Sequence, residues 1–303
     1  MPELKGVFNI TATPFADDGK IDEADLRRLV EFQLKCGAHG LTILGIMGEA
    51  HKLSESERQR VTEVVVEQVN GRVPVVVGTS HPGADVAAAL SRHAEKAGAA
   101  AVMVAPSFGL QSWSPGLMDY YRRVADRTGL PIVVQDEPVN TGVLMPAATL
   151  ARICDEIPSA TYIKLEEMPT PPKISQILKL SSRKPAIFGG WGGIFFLEEL
   201  RRGAAGTMTG FAFTEVLVGI YERFIKGDLR GAKDLFYRYV PLIRFENQPG
   251  IGLAIRKEIL KWRGAMASAV VRAPGPRLDP ETRQELFEML EYLGAPQAAG
   301  ARA

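Results

Sequence analysis

"VPVVVGTSHPGADVAAALSRHAEKAGAAAVMVAPS", residues 73–107, reads as a strand, a turn, a helix and a second strand. The runs "VPVVVGTS" and "AAAVMVAPS" are short, apolar and rich in β-branched residues, and each stops at Gly, Pro, Ser or Thr, as a strand buried on both faces should. The same unit recurs along the chain. Further strands are predicted at "GVFNITATPF" (6–15), "GLTILGI" (40–46), "PIVVQDEP" (131–138), "TYIKLE" (161–166), "AIFGG" (186–190) and "GTMTGFA" (206–212), each followed by a helical pattern. Strands alternating with amphipathic helices imply a parallel sheet with helical crossovers.

Eight strand–helix units fit the closed α/β barrel, a (β/α)8 or TIM barrel, better than a doubly wound sheet, which has fewer strands and a glycine-rich dinucleotide turn after the first. The first turn here, "ATPFADDGK" (12–20), has no such fingerprint. Local signals support the helices. Ser54 and Glu57 in "SESE" form a capping box ahead of Val61, Val64, Val65 and Val69, and Gly37 closes a helix carrying Leu26, Leu29, Val30 and Leu34. After the eighth strand the pattern is purely helical through "EVLVGIYERFIKG", "LRGAKDLFYRYVPLIRF" and "GIGLAIRKEILKWRG". A last helix starts at Asp279 and Pro280 and stops at Gly294. The expected organisation is a barrel over 1–212, helices packed on it over 213–295, and a frayed tail over 296–303.

Composition excludes several functions. The chain has 303 residues, 46% of them hydrophobic, with 36 basic against 35 acidic side chains and a net charge of +1. That balance gives no broad attraction for nucleic acid or an anionic membrane. A small ligand in a local site fits better. Cys36 and Cys154 are far apart, offer neither a disulfide framework nor metal-ligand spacing, and point to a reducing cytoplasm. The N-terminal "MPELKGVFNI" lacks an apolar targeting core, and no run reaches the roughly 18 apolar residues of a membrane span. His39, His51, His81 and His93 are too scattered for a metal site, so neither metal nor cofactor is expected.

In such barrels chemistry sits where strands run into loops at their C-terminal ends. The sixth strand ends in Lys164, Glu166 and Glu167. Period-two alternation puts Tyr162, Lys164 and Glu166 on one face, so an interior-facing Lys164 lies beside a carboxylate. An amine there condenses with a ketone to give a protonated imine, which acidifies the neighbouring carbon. An ordinary lysine, with a pKa of about 10.4, is neutral in only about one molecule in 2,500 at pH 7. Burial favours the neutral form and Glu166 opposes it, and the sequence leaves that balance open. A lysine snorkelling to solvent is the plain alternative.

Several segments together resemble the dihydrodipicolinate synthase and N-acetylneuraminate lyase superfamily. "GIMGEAHKLSESER" (45–58) looks like its GxxGE segment, "PIVVQDEPVNTG" its fifth strand, "YIKLEE" its Schiff-base strand and "RRGAAGTMTGFA" its eighth, in matching order and spacing from about residue 5 to 295. The resemblance implies that Lys164 forms an imine with a small-molecule 2-keto acid. It also implies that the loop of Gly45, Ile46, Met47, Gly48 and Glu49 offers backbone N–H groups to the substrate carboxylate. Asp136, Glu137, Asn140, Gly189, Gly190, Thr207 and Thr209 are the further substrate-binding candidates, and a homotetramer built from two dimers is the implied assembly.

Departures from the family pattern narrow the chemistry. Gln135 stands where relatives carry a proton-relaying tyrosine, Ile46 and Met47 replace the usual hydroxyl residues, and Phe108 replaces a tyrosine after strand four. Asn140 replaces an arginine that dihydrodipicolinate synthase uses for its second substrate. Glutamine is neither acid nor base, so Glu166 is the best-placed proton carrier, with Asp136 and Glu137 behind it. The QDxP strand, K-x-E and GAxGxMTG are similar to the branch containing 2-keto-3-deoxy-L-arabonate dehydratase. That likeness implies a hydro-lyase acting on a 2-keto-3-deoxy sugar acid. A pyruvate-releasing or pyruvate-condensing aldolase and a non-catalytic keto-acid-binding protein are the alternatives. "FGGWGG" (188–193) suits a close approach by substrate better than a phosphate cradle.

Overall fold

The computed structural model describes residues 3–297, so residues 298–303 of the expected tail lie outside the described residues. Eight parallel strands pair in chain order and close on themselves: β1 (Gly6–Ile10), β2 (Gly40–Ile43), β3 (Val75–Gly78), β4 (Ala101–Val104), β5 (Ile132–Asp136), β6 (Ala160–Leu165), β7 (Ala186–Gly189) and β8 (Gly206–Thr209). The helices are α1 (Glu23–Lys35), α2 (Glu55–Val69), α3 (Ala84–Ala97), α4 (Pro115–Ala125), α5 (Pro138–Thr141), α6 (Ala147–Glu156), α7 (Thr170–Leu180) and α8 (Phe196–Arg201). Beyond β8 follow α9 (Thr214–Ile225), α10 (Leu229–Glu246), α11 (Gly252–Trp262) and α12 (Pro280–Leu293). No helix among the described residues is long and apolar enough to cross a membrane.

The caps written in the sequence form. Ser54 and Glu57 each accept the other's backbone N–H at the start of α2, and Asp279 accepts from Thr282 N at the start of α12. Each satisfies N–H groups that the first helical turn leaves unpaired. Gly294, at φ 57°, ends α12 in the left-handed conformation that glycine adopts most readily.

Phe8, Val76, Met103, Val133, Phe188 and Met208 project inward and plug the barrel, with Phe8 and Phe188 edge to face at 5.5 Å between ring centres. Each such side chain contributes about 1.5–3 kcal/mol on leaving water. The opposite face of each strand packs under the helices. On β1 that face carries Asn9, which donates to Thr214 Oγ1 of α9 at 2.9 Å, while Thr214 donates to Gln33 of α1 at 2.7 Å. This polar seam ties α9 to the first crossover helix, and α10 packs against α9 beyond it.

Candidate active site

Lys164 lies one residue before the end of β6, in register with Gln135 on β5 and Phe188 on β7. Side chains opposite one another in a sheet share a face, so Lys164 and Gln135 point inward with the Phe188 plug beneath them. Lys164 is 2% exposed. Its Nζ makes an ion pair with Glu166 Oε2 at 2.9 Å, and Gln135 Nε2 donates to that same oxygen at 3.0 Å. One oxygen of Glu166 therefore meets both groups. Its Oε1 has no hydrogen-bond partner among the described residues.

Glu166 is fixed on both sides of its backbone. Its N–H donates to Asp136 O at 2.9 Å, continuing the β5–β6 ladder past the strand end, and its carbonyl accepts from the Trp191 indole. Gly190 makes room for the side chain: a Cβ there would stand 2.5 Å from Glu166 Cγ. Glu137 is the next inward position after Gln135. Burial, reinforced by the Glu166 charge, pushes its carboxyl above the usual carboxylate range, and the Lys164 charge acts against this. Both its oxygens accept from Asn140, one from the backbone N–H at 3.1 Å and one from the amide at 3.0 Å.

The loop after β2 divides into two functions. The N–H groups of Ile46, Met47 and Gly48 have no acceptor among the described residues, and Ile46 stands 43% exposed. Met47 is buried with its sulfur against Gly210 at the end of β8. Thr13 Oγ1 holds Gly48 O at 2.6 Å. Glu49 turns away from this rim. Its N–H donates to Ile46 O at 2.9 Å and is spent inside the loop, while its fully buried carboxylate accepts from Lys257 Nζ of α11 at 2.6 Å, Lys52 Nζ at 2.9 Å and Arg272 N at 3.0 Å and so anchors the loop.

Four expected ligand positions lie on the other side of the strands. Asp136 is fully buried under the helix layer and accepts from Lys173 Nζ of α7 at 2.6 Å; burial pushes its carboxyl up to about 6 against the pull of Lys173. Gly189 and Thr207 are register partners one step from the inward Phe188 and Met208, and Thr207 Oγ1 donates to Gly189 O at 3.2 Å. Thr209 pairs with the outward Asn9. Period two explains all four, because the residue next to an inward one faces out. Phe108 and Trp113 stand 78% and 80% exposed on the loop between β4 and α4.

Lys257, Arg272, Lys173 and Trp191 were not legible as parts of this region. Their partners are distant in the chain, and neither a lysine in an amphipathic helix nor a tryptophan between glycines carries a local signal. No group of three or more His, Cys, Asp or Glu among the described residues could hold a metal ion. The mouth thus offers one buried amine, a carboxylate in contact with it, an uncharged amide in place of a proton relay, and a loop of unpaired N–H groups suited to an anion.

The chain is similar to known proteins along nearly its whole length. The L-2-keto-3-deoxyarabonate dehydratase of Azospirillum brasilense is 35% identical over 298 residues, 96% of this chain and 95% of that protein. The 4-hydroxy-tetrahydrodipicolinate synthase of Methanothrix thermoacetophila is 33% identical over 297 residues, 96% of this chain and 97% of that protein. The crystal structure of a dihydrodipicolinate synthase from Rhodopseudomonas palustris superposes with a TM-score of 0.89 at 36% identity, covering 95% of this chain and 97% of that one. With its closed eight-stranded barrel, and with residues 3–293 matching the profile of the Dihydrodipicolinate synthetase family, the chain belongs to that family of lyases.

Proposed function

We propose that this protein is a class I hydro-lyase that dehydrates a 2-keto-3-deoxy sugar acid through an imine on Lys164. The observation that carries the reading is the shared oxygen: Glu166 Oε2 meets both the Lys164 amine at 2.9 Å and the Gln135 amide at 3.0 Å. Glu166 accepts the ammonium proton, and the freed amine adds to the C2 ketone. Glu166 returns that proton to the hydroxyl of the adduct, which departs as water and leaves the iminium beside an ionised Glu166. The unpaired N–H groups of Ile46, Met47 and Gly48 hold the substrate carboxylate. Glu166 then removes a C3 proton, and the electron pair moves into the iminium to form an enamine. The proton now on Glu166 leaves with the C4 hydroxyl as water, so one carboxyl serves both halves of the elimination. Gln135 fits this role because an amide orients the carboxylate without competing for its proton. The similarity to the Azospirillum dehydratase supports the same choice of reaction.

The mouth needs no bound cofactor for these steps. A homotetramer of two tight dimers, with the exposed Phe108 and Trp113 against a second copy, completes the proposed assembly in a cytoplasmic setting. The test is to incubate the protein with pyruvate and borohydride and weigh it intact, then to supply a 2-keto-3-deoxy pentonate. The expected results are one reduced adduct that is absent from Lys164→Ala, and a semialdehyde with no pyruvate released. Pyruvate as the main product would establish an aldolase instead. An adduct persisting in Lys164→Ala would remove the imine from this residue.

A further inference from the structure

The turn Gly190–Gly193, which the sequence offered as a place of close approach, has a backbone that ordinary residues avoid. Trp191, Gly192 and Gly193 all have positive φ, at 50°, 67° and 86°. For glycine that is unremarkable. A bulky aromatic side chain in the left-handed region persists only when its surroundings over-determine it. Trp191 is held from two sides. Its indole Nε1 donates to the backbone carbonyl of Glu166, and its own carbonyl accepts from Asn247 Nδ2 at 2.8 Å. Asn247 also donates to Ile243 O at 2.9 Å and accepts from Arg256 through its Oδ1. Arg256 bonds the buried Glu246 at 3.2 Å, and Glu246 accepts from Ala212 N, just past β8, at 3.2 Å. Both neighbouring glycines make close contacts. A Cβ on Gly192 would stand 2.2 Å from Asn247 Nδ2, as one on Gly190 would collide with Glu166.

We propose that Trp191 is a positioning residue for Glu166, transmitting the rigidity of α10 and α11 to the carboxylate beside Lys164. The proposal rests on the reading of Glu166 as the proton carrier. Glu166 lies one residue beyond the last β6 residue, where the ladder no longer fixes it fully. Its N–H is tied to β5, and Trp191 supplies the second tie at the carbonyl. Losing that tie lets the Glu166 Cα rotate. The distance from the carboxylate to the C3 proton then varies, while Lys164, fixed within β6, still condenses with the ketone.

Deuterium exchange separates these steps. Bound pyruvate exchanges its methyl protons only when the imine loses a C3 proton, so wash-in from D2O followed by NMR reports the base, and borohydride trapping reports the imine. In Trp191→Phe, which keeps an aromatic ring and removes the donor, exchange and kcat are expected to fall about 3- to 10-fold, the worth of one hydrogen bond. The trapped fraction and KM should stay within twofold of wild type. Asn247→Ala, which releases the far side of Trp191, should give the same pattern and guards against a folding defect in the first variant. A merely structural role would lower trapping and exchange together and overturn the proposal. So would full exchange in both variants when Glu166→Gln has lost it. Full exchange in Glu166→Gln itself would show that the base was misassigned, and the positioning role would fall with it.

Discussion

Lys164 and Lys257 are both almost wholly buried and both touch a glutamate, Glu166 at 2.9 Å and Glu49 at 2.6 Å. The rest of their surroundings differ. The Lys257 ammonium donates to Thr13 O at 2.9 Å, Glu49 Oε1 and Val270 O at 2.8 Å, and it lies 4.6 Å from the centre of the Phe15 ring. All three of its N–H groups are used. Burial pulls Lys257 below the usual lysine range and the Glu49 charge opposes the pull. Lys164 has a carboxylate and nothing else among the described residues. An amine with every proton committed is part of the framework. One with a single partner, at the open end of the barrel, keeps the freedom to form a bond.

The strongest way to break that contrast is to replace each lysine by methionine. Lys257→Met leaves Glu49 buried with its closest cation gone, which costs about 3–5 kcal/mol when one partner of a buried pair is removed. Lys164→Met is expected to lose all trapping, with its urea midpoint close to wild type, because Gln135 still bonds Glu166 at the mouth. Equal loss of stability in the two variants would make both pairs structural. Glu166→Gln comes next. It should still reach the trapped imine, more slowly, because solvent can take the Lys164 proton in place of Glu166, while turnover drops about 10²- to 10⁴-fold, the usual contribution of one general base. Unimpaired turnover would move the role to Glu137, since Asp136 faces α7.

A buried carboxyl with no cation partner among the described residues gives the most specific effect. Glu199 on α8 is 1% exposed, accepts from Thr170 Oγ1 at 2.6 Å, and packs so tightly on Gly189 that a Cβ there would stand 1.7 Å from it. Burial pushes its carboxyl up to about 8. A raised pKa means that the folded protein holds the proton more tightly than the unfolded chain does. Its contribution to stability is complete below the unfolded glutamate value of about 4.3 and is lost as pH rises through about 8. Glu199→Gln cannot ionise. Its stability relative to wild type, measured by urea unfolding, should therefore improve between pH 5 and pH 9, and a constant difference would show that Glu199 is already charged in the fold.

What was legible in the sequence followed from spacing. Lys164 and Glu166 are two apart, so they share a face whichever face that is, and Ser54 and Glu57 are three apart, so they cap one helix turn. The barrel was legible because eight apolar runs were separated by helical patterns. Which side of β5 or β8 faces inward was not legible. Strands buried on both faces carry no alternation of apolar and polar residues to set the phase. Asp136 and Thr207 were therefore placed at the mouth, although they lie under the helices. Glu49 departs for another reason: its N–H is spent on Ile46 O at 2.9 Å, and its side chain meets Lys257 and Arg272, far along the chain, which only the folded molecule brings to it.

That last separation sets an order of assembly. Glu49 is held by Lys257 and by the N–H of Arg272, while the Arg272 guanidinium reaches back to Glu57, to Gly19 O and to Lys52 O. All eight strands leave the ribosome before either anchor is made, and contacts between residues so far apart form late because a long loop must close first. A nascent chain can thus pair its strands and bury its plug while the loop after β2 still lacks its anchors. Synthesis of α11 and of the segment through Arg272 supplies both anchors, so the loop is fastened only after the barrel it belongs to has closed.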